Sequence, residues 1–238
     1  MSASGKFYLA VDTATEACSV AAWLDGRMLE RFEPMQREHT ARVLPLIQAV
    51  LADCGKTLAQ VDGLVCGIGP GSFAGLRIGV GVVKGLALAR ELPVVGVSSL
   101  AMLAQRALRD PAVSQVVAVI DARMSEVYAG AYRRGDAGLA AAVMADQVCA
   151  ASAVPALPAG AWSAVGTGWA RYEPELRKAL AAELTHVDAA ALPHAEEALV
   201  LALPEFAAGR TLSADALAPA YLRDRVALTL AEQAARRA

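Results

Sequence analysis

A glycine-rich junction between an apolar strand and a long apolar helix constrains this chain more than any other stretch. Residues 67–79 read Gly-Ile-Gly-Pro-Gly-Ser-Phe-Ala-Gly-Leu-Arg-Ile-Gly. Residues 61–68 are predicted to form a buried strand, and residues 72–90 a helix that begins at Ser72, whose hydroxyl suits the N-cap position. Such a junction directs backbone N–H groups outward at the helix start, which favours anions. The same residues also serve simply to turn a strand into a helix.

The helix over residues 72–90 carries too little charge for a helix with one fully solvated face. From residue 73 to residue 88 only Arg77 and Lys84 are charged, and their spacing places them on one face. Glycines at 75, 79, 81 and 85 each cost about 0.5–1 kcal/mol relative to alanine in a helix interior. Something therefore packs close to this backbone. It is either the chain's own sheet alone, or the sheet on one side and a second protein on the other.

Composition argues against several classes of protein. With 238 residues, 56% of them hydrophobic, the chain is long enough for one large or two compact domains. A net charge of −2 argues against a free-standing nucleic-acid binder, which usually has a basic excess. The four cysteines form no CxxC pair or disulfide framework, and neither a signal peptide nor a membrane span is expected. We therefore expect a cytoplasmic protein with reduced thiols.

The predicted elements occur in an order that repeats: three strands, then helix, strand, helix, strand and helix. Predicted strands cover 6–12, 17–24, 27–32, 61–68, 93–97, 116–121, 126–132, 139–145, 162–166 and 184–187. Predicted helices cover 40–53, 72–90, 98–109, a weak one at 146–154, 170–182 and 195–207.

Short sequence matches support an internal duplication. Val11-Asp12 followed by Ser19-Val20 parallels Ile120-Asp121 followed by Val127-Tyr128. Because an internal repeat indicates a repeated structural unit, the match predicts two α/β lobes with a cleft between them. We assign residues 1–108 to the N-terminal lobe and residues 109–238 to the C-terminal lobe. Whether the C-terminal tail returns to the first lobe stays open.

Two acids end corresponding strands and would face each other across this cleft. In phosphotransferases of this architecture, such a pair holds a metal–nucleotide complex, whereas the alternative is an aspartate that caps its own turn. The candidate nucleotide-cleft residues are Asp12, Thr13, Thr15, Gly69, Gly71, Ser72, Asp121 and Arg123. Arg123 is bulky where a phosphate loop favours small residues. One functional hypothesis is therefore an ATP-dependent phosphotransferase that acts through Asp12 and Asp121.

Other catalytic constellations are missing from the sequence. The three histidines have no metal-ligand spacing, and His39 at a helix start fits a hydrogen-bonding role better than a ligand role. Neither a GxSxG elbow nor a Walker loop is present. We expect no catalytic residue and no metal site. A peptidase function is not supported either, because the sequence offers no Ser/His/Asp, Cys/His or zinc arrangement.

With these motifs in view, the chain resembles the TsaB family, bacterial accessory subunits of the machinery that makes threonylcarbamoyladenosine in tRNA. The resemblance covers nearly the whole chain and departs at Ala74, where the family usually has threonine. It is carried by residues 9–20, by Glu38-His39-Thr40 with Leu44-Pro45, by 69–79, 84–87, 96–100 and 120–123 with 126–128, and by Pro219-Ala220-Tyr221-Leu222-Arg223.

The resemblance implies an α/β fold of the actin-like, sugar-kinase-like (ASKHA) class, with two tandem ribonuclease-H-like lobes and mixed sheets. TsaD, the catalytic relative, carries two metal-binding histidines where this chain has Ser99 and Leu103. Neither side chain replaces imidazole as a ligand. The resemblance thus implies a non-enzymatic paralogue that needs no cofactor and binds ATP or ADP weakly at most.

It also implies partners and a contact surface. TsaB-family proteins pair with TsaD or with themselves through their first two helices, here 40–53 and 72–90, TsaE joins the heterodimer, and tRNA is reached only through the complex. The chain would then be a scaffold for threonylcarbamoyl transfer to N6 of the adenosine beside the anticodon. The predicted interface residues are Leu44, Ile47, Leu51, Phe73, Leu76, Gly79, Val80 and Val83.

Overall fold

The N-terminal lobe is built on a mixed five-stranded sheet. The computed structural model describes residues 5–223. In spatial order β3-β2-β1-β4-β5, the strands are β1 (Phe7–Asp12), β2 (Ala17–Leu24), β3 (Arg27–Pro34), β4 (Gly63–Gly69) and β5 (Val94–Ser98). Strands β1, β2 and β3 pair antiparallel, and β4 and β5 run parallel to β1. The helices of this half are α1 (His39–Asp53), α2 (Phe73–Arg90) and α3 (Ser99–Ala107).

The second sheet repeats this arrangement. Its strands are β6 (Gln115–Arg123), β7 (Glu126–Arg134), β8 (Ala140–Ala150), β9 (Ala161–Val165) and β10 (Glu183–Asp188), in the order β10-β9-β6-β7-β8. Its helices are α4 (Trp169–Leu180) and α5 (Ala195–Ala207). In both sheets the first strand is central, the second and third flank it on one side, and the fourth and fifth on the other. The predicted fold of two tandem lobes with mixed sheets is confirmed.

The predicted repeat is also confirmed at the level of strand register. Asp12 lies opposite Ser19 in the first hairpin, and Asp121 lies opposite Val127 in the second. One residue earlier, Val11 pairs with Val20, as Ile120 pairs with Tyr128. Asp12 ends β1 as the sequence predicted, whereas β6 continues two residues beyond Asp121 and ends at Arg123.

Two helices are exchanged between the lobes. Helices α1 and α2 cover one face of the first sheet, and α4 covers one face of the second. The other face of the first sheet is covered by α5, which follows the last strand of the second sheet. The opposite face of the second sheet is covered by α3, which follows the last strand of the first. Each sheet is thus completed by a helix from the other half of the chain.

The N-terminus of α5 is anchored by a carboxylate on the sheet that it covers. Glu30 on β3 contacts His194 Nδ1 at 2.7 Å and accepts the Glu196 N–H at 3.1 Å. Ser19 donates its hydroxyl proton to Glu30 and accepts the Ala195 N–H. Burial alone would raise the pKa of Glu30, but hydrogen bonds from His194, Ser19 and the Glu196 amide lower it. Glu30 therefore stays charged at this helix start.

The N-terminus of α3 has the same kind of anchor from β8. Ser98 caps α3 by accepting the N–H groups of Leu100 and Ala101. Its hydroxyl, together with that of Tyr132, donates to Asp146. Burial raises the pKa of the Asp146 carboxyl, although both donors oppose the rise.

The exchanged helices are also tied to each other. Glu197 of α5 is fully buried, and it accepts from Arg109, just after α3, at 2.7 Å and from Arg106 at 3.3 Å. Two cations around one buried carboxylate supply the pairing that such a charge needs away from water. The lobes are therefore joined through paired charges as well as through the apolar faces of α3 and α5.

The chain after α5 runs along α2 and then reaches the second lobe; we call residues 212–223 the strap. Leu212 exchanges backbone hydrogen bonds with Val94, and the Asp215 carbonyl accepts from Lys84 at 3.2 Å. Near the start of α2, the Tyr221 hydroxyl accepts from Arg77 Nε at 3.2 Å. The strap ends at Arg223, whose guanidinium donates to the Ala122 carbonyl and to Glu126.

Three sequence expectations need correction or completion. The predicted boundary at 108/109 separates the two sheets, but residues 195–217 pack on the N-terminal lobe and α3 packs on the second. The predicted helix at 146–154 is wrong, because β8 continues to Ala150 as an edge strand paired with β7. The sequence of residues 146–150 is compatible with a helix or a strand, and pairing with β7 makes it a strand. The open question about the tail is answered as far as residue 223; the alanine-rich stretch beyond it lies outside the described residues.

Two of the helical glycines in α2 are required by a close approach and two are not. A Cβ on Gly75 would lie 2.1 Å from the Thr13 carbonyl oxygen, whereas a Cβ on Gly81 would meet nothing within 4 Å. We expect Gly75→Ala to lower the free energy of unfolding by about 1–3 kcal/mol, as overpacking does. Gly81→Ala should raise it by up to about 1 kcal/mol through helix propensity. Urea denaturation at low protein concentration measures both, and effects of the same sign would contradict this assignment.

Candidate functional site

The loop between β1 and β2 presses directly against the start of α2. The Ser72 N–H donates to the Ala14 carbonyl at 2.6 Å, and the Thr13 hydroxyl donates to the Gly75 carbonyl at 2.7 Å. Glycine at 71 and at 75 permits this approach, because a Cβ on either would lie 2.1 Å from a carbonyl oxygen of the loop. The space in which the glycine turn would cradle an anion is therefore filled by the loop itself.

Ser72 is the N-cap of α2, as the sequence predicted. Its hydroxyl oxygen accepts the Gly75 N–H at 3.4 Å. Gly69 takes a positive φ of 95° at the end of β4, which a residue with a Cβ rarely adopts. These two residues, and Gly71, are thus used to turn the chain and seat the helix.

Asp12 is enclosed at the centre of the first lobe. Its side chain has no exposed surface, and neither carboxylate oxygen has a hydrogen-bond partner among the described residues. Gly67 on the neighbouring strand leaves room for it, because a Cβ there would lie 1.8 Å from Asp12 Oδ1. Burial raises the pKa of Asp12 to about 7; the Ala14 amide opposes the rise without reaching hydrogen-bond geometry, and the Glu30 charge adds to it.

The second acid of the predicted pair has a different environment. Asp121 is mostly buried, and its Oδ1 accepts the Arg123 N–H at 2.8 Å in a turn-capping arrangement. Its other oxygen faces the side chains of Arg123 at 3.4 Å and Arg171 at 3.9 Å. Arg123 also reaches Glu16 of the first lobe at 3.5 Å. The two acids are thus held in separate surroundings, one buried without donors and one paired with arginines.

The described surface includes at least two cavities. One, of about 630 Å³, lies between the lobes and is lined by residues that include Phe32, Arg106, His186, Asp188 and His194. The other, of about 350 Å³, lies between the end of α2 and the strap. None of the eight predicted nucleotide-cleft residues lines either cavity.

The remaining polar residues near the loop have structural contacts. His39 is buried at the first residue of α1, and its Nε2 lies 3.0 Å from the Thr15 carbonyl and 3.1 Å from the Ala17 carbonyl. Thr15 itself is buried, with no partner for its hydroxyl among residues 5–223. Within that range no group of three or more His, Cys, Asp or Glu side chains is arranged to hold a metal ion.

The predicted interface set needs a correction. Six of its eight residues are buried by the chain's own fold: Ile47, Leu51, Leu76, Gly79, Val80 and Val83. Their prediction as interface residues is wrong. Four of them belong to the core beneath α1 and α2, the Leu76 side chain lies beside Gly69, and Gly79 faces the Thr13 hydroxyl. Leu44 on α1 and Phe73 on α2 are exposed, each at 49%.

The outward face of α2 carries a different set of residues. Gly81 and Gly85 lie at its centre, and a Cβ on either would meet nothing within 4 Å. Arg77 and Lys84 lie along the edge that contacts the strap, as their shared face predicted. The four-residue repeat of glycine had two separate causes: one pair seats the helix on the β1–β2 loop, and the other leaves an open surface.

Comparison with known proteins identifies the family. A model of the TsaD family, described as tRNA N6-adenosine threonylcarbamoyltransferase, matches residues 33–230. The tRNA threonylcarbamoyladenosine biosynthesis protein TsaB of Escherichia coli is 44% identical over 222 residues, which cover 92% of this chain and 95% of that protein. The chain belongs to the TsaB family. The TsaB of Haemophilus influenzae is 42% identical and covers 92% of this chain and 94% of its own.

A solved TsaB-family structure has the same fold. The structure described as YeaZ from Pseudomonas aeruginosa superposes with a TM-score of 0.85 at 42% identity, covering 91% of this chain and all of the other. In the present chain, Ser99 and Leu103 are both buried on α3, and the Ser99 hydroxyl has no partner among the described residues.

Within residues 5–223, no helix is both long enough and apolar enough to cross a membrane.

The buried Asp12 predicts an unusual dependence of stability on pH. Because the folded state holds the Asp12 proton up to about pH 7 and the unfolded state only to about 3.8, stability falls as the pH rises between these values. Asp12→Asn removes this loss. One pKa unit corresponds to about 1.4 kcal/mol, so the variant should exceed the natural protein by up to about 4 kcal/mol above pH 7.

Urea denaturation at pH 5, 6, 7 and 8 measures this difference. The free energies of unfolding should diverge as the pH rises and run parallel above about pH 7. A variant that is less stable than the natural protein at pH 8 would show that the Asp12 carboxylate has a stabilising partner.

Proposed function

We propose that this chain is a non-catalytic scaffold subunit that pairs with TsaD. With TsaE, the pair would support threonylcarbamoyl transfer to N6 of the tRNA adenosine next to the anticodon. The family membership supports a role in threonylcarbamoyladenosine biosynthesis, since the relatives in Escherichia coli and Haemophilus influenzae carry that description. The pairing itself rests on the surface of α1, α2 and the strap.

The observation that carries the proposal is where the exposed apolar side chains lie. Seven large hydrophobic side chains are exposed within the described residues. Five of them belong to α1, α2 or the strap: Leu44, Phe73, Leu88, Leu212 and Tyr221. Clustered exposed apolar residues mark interaction surfaces more often than scattered ones do.

The glycines at the centre of this face support a partner helix. Gly81 and Gly85 lie one turn apart with open space above them, although each costs about 0.5–1 kcal/mol relative to alanine in an exposed helix. A second helix packed there would approach the α2 backbone closely. Helix α2 has 18 residues, so at 1.5 Å per residue the face is about 27 Å long, long enough to seat a helix of similar length.

The phosphotransferase hypothesis has weaker support from the geometry. The loop and the glycine turn contact each other directly, and Asp12 is fully buried at a pKa of about 7. An acid in that state is a poor ligand for magnesium–ATP, which needs an accessible carboxylate. We therefore propose that the scaffold role requires no nucleotide, and calorimetric titration with magnesium and ATP tests this part.

A substitution on the open face separates pairing from folding. Gly85→Arg places a long charged side chain at the centre of the face, where the natural protein has no atom within 4 Å of the added Cβ. We expect the variant to keep the melting temperature of the natural protein within a few degrees and to lose co-elution with the TsaD of the same organism. Threonylcarbamoylation of tRNA, reconstituted with that TsaD and TsaE, should fall at least tenfold.

Ala170→Arg is the matched control, because Ala170 is an exposed helical residue on the second lobe. It adds the same bulk and charge and should leave pairing and transfer unchanged. Co-elution of Gly85→Arg with TsaD as tightly as the natural protein would place the pairing surface elsewhere. ATP turnover by the isolated chain that is lost in Asp12→Asn would favour the phosphotransferase.

A further inference from the structure

The second sheet is left partly uncovered on the face that α3 occupies. Helix α3 has 9 residues, whereas α5, which covers the corresponding face of the first sheet, has 13. The apolar cluster beneath α5 includes Val95 and Val97 of the edge strand β5. Within residues 5–223, the cluster beneath α3 includes no residue of the matching edge strand β10. The cavity of about 630 Å³ lies over this uncovered part, between α3, β9, β10 and β3 of the first lobe.

The uncovered strands turn polar side chains toward the cavity. His186 on β10 pairs in register with Ser163 on β9, and both residues line the cavity. Ser163 is only 4% exposed, and its hydroxyl forms no hydrogen bond with any residue of 5–223. Because polar groups that are removed from bulk water normally have a partner, this hydroxyl is available to a bound molecule.

Arg106 on α3 presents a free guanidinium edge to the same cavity. Its Nη1 donates to the fully buried Glu197 at 3.3 Å, which fixes the side chain, and Glu197 also accepts from Arg109. The Nε and Nη2 atoms of Arg106 have no hydrogen-bond partner in the described part of the chain. These two nitrogens form the edge of a guanidinium that binds a carboxylate through two parallel hydrogen bonds.

An aromatic pair forms the wall from the first lobe. The rings of Phe32 and His194 are stacked, with centroids 3.9 Å apart and planes at 7°. Glu30 holds His194 Nδ1 at 2.7 Å, and Nε2 of the same ring has no partner among residues 5–223. A mostly apolar lining with a few fixed polar groups is typical of small-molecule sites of this volume. The apolar part of the lining includes Leu103, Ala107, Val113, Val165 and Leu192.

Two acids limit the charge that the cavity accepts. Asp110 and Asp188 line it and are exposed, and one oxygen of each caps its own turn, accepting the Ala112 N–H at 2.9 Å and the Ala190 N–H at 3.0 Å. Within the described residues, neither acid forms an ion pair with Arg106. They leave its guanidinium free for one carboxylate and repel a second negative charge.

We propose that this cavity binds a small monocarboxylic acid with an apolar body. The free edge of Arg106 takes the carboxylate, and the body packs between the aromatic pair and the apolar lining. The hydroxyl of Ser163 and Nε2 of His194 supply further hydrogen bonds. The site shares no residue with α1, α2 or the strap, so it goes beyond the proposed function and is tested separately from it.

Three related probes test the chemistry of the ligand: 3-phenylpropionate, its neutral amide 3-phenylpropanamide, and the diacid 3-(4-carboxyphenyl)propionate. An NMR titration of the full chain should give a dissociation constant of about 5 mM or tighter for 3-phenylpropionate, as expected for a ligand of this size. The amide lacks the charge and the diacid adds a second one, so each should bind at least about tenfold more weakly. Equal binding of acid and amide, or no binding of the acid at about ten times that concentration, would overturn the proposal.

The same titration locates the probe. The methyl resonances of Leu103, Val165 and Leu192 should shift on addition of 3-phenylpropionate, because these residues line the cavity. Those of Leu88 and Leu212, which line the cavity of about 350 Å³, should stay in place. Shifts confined to Leu88 and Leu212 would assign the binding to the other cavity and refute the site.

An arginine substitution tests the residue that takes the carboxylate. Arg106→Gln should weaken 3-phenylpropionate at least about tenfold, since it removes a charge-assisted bidentate contact. Arg177→Gln is the matched control, because Arg177 is an exposed arginine that pairs with Glu173 on α4 and does not line the cavity. It should bind the probe like the natural protein. Normal binding by Arg106→Gln would show that the guanidinium is not the anion site.

A second variant keeps the test decisive if loss of the contact with Glu197 unfolds Arg106→Gln. Ala190→Phe adds a ring at an exposed position of the lining and leaves every polar group of the site in place. It should keep the melting temperature of the natural protein and lose 3-phenylpropionate binding at least about tenfold, because the ring fills the space that the ligand needs. A folded Ala190→Phe variant that binds the probe normally would place the ligand outside this cavity.

Discussion

The fold depends on the exchange of α3 and α5 between the lobes. Each helix leaves the end of one sheet, crosses to the other sheet and covers the face that this sheet's own helices leave open. Burial of the two helix faces supplies the attraction, and Glu30 and Asp146 fix where each helix begins. A negative charge at a helix N-terminus interacts favourably with the helix dipole, so Glu30 also stabilises α5 in this way. The paired charges around Glu197 then tie the two crossing helices together.

The close contact of α2 with the β1–β2 loop accounts for the character of the candidate site. In this chain the loop carbonyls enter the space that glycine at 71 and 75 leaves free. As a result Asp12 is sealed from solvent and from donors. The opposite side of the same helix keeps its exposed glycines and apolar side chains. One helix therefore seals the β1–β2 loop with one face and leaves glycines and apolar side chains exposed on the other.

Local pattern was enough to predict the strands, most of the helices and the repeat, because alternating and apolar runs are bounded by clear turn residues. The turn at Asp25 and Gly26 and the cap at Ser72 follow from local chemistry in the same way. Pattern could not show which residues face outward on α1 and α2, since these helices are apolar on more than one side. Six predicted interface residues are therefore buried within the chain's own fold.

The exchange of helices and the roles of Glu30 and Asp146 could not be predicted from the sequence, for a different reason. They depend on which lobe a helix packs against, and the residues involved lie 48 and about 165 positions apart along the chain. A charged residue on a strand is most often solvated, so its sequence gives no sign of a buried helix cap. The sequence indicates part of the strap, because Pro-Ala-Tyr-Leu-Arg at 219–223 is one of the motifs that carry the family resemblance.

The helix exchange has a consequence for synthesis on the ribosome. The first sheet is complete once β5 has emerged, but the helix that covers its second face ends at Ala207. For more than 100 residues of elongation, the apolar side chains of Ala10, Ala21 and Val65 therefore have no native cover. The second face of the first sheet is therefore completed only when α5 arrives, near the end of translation.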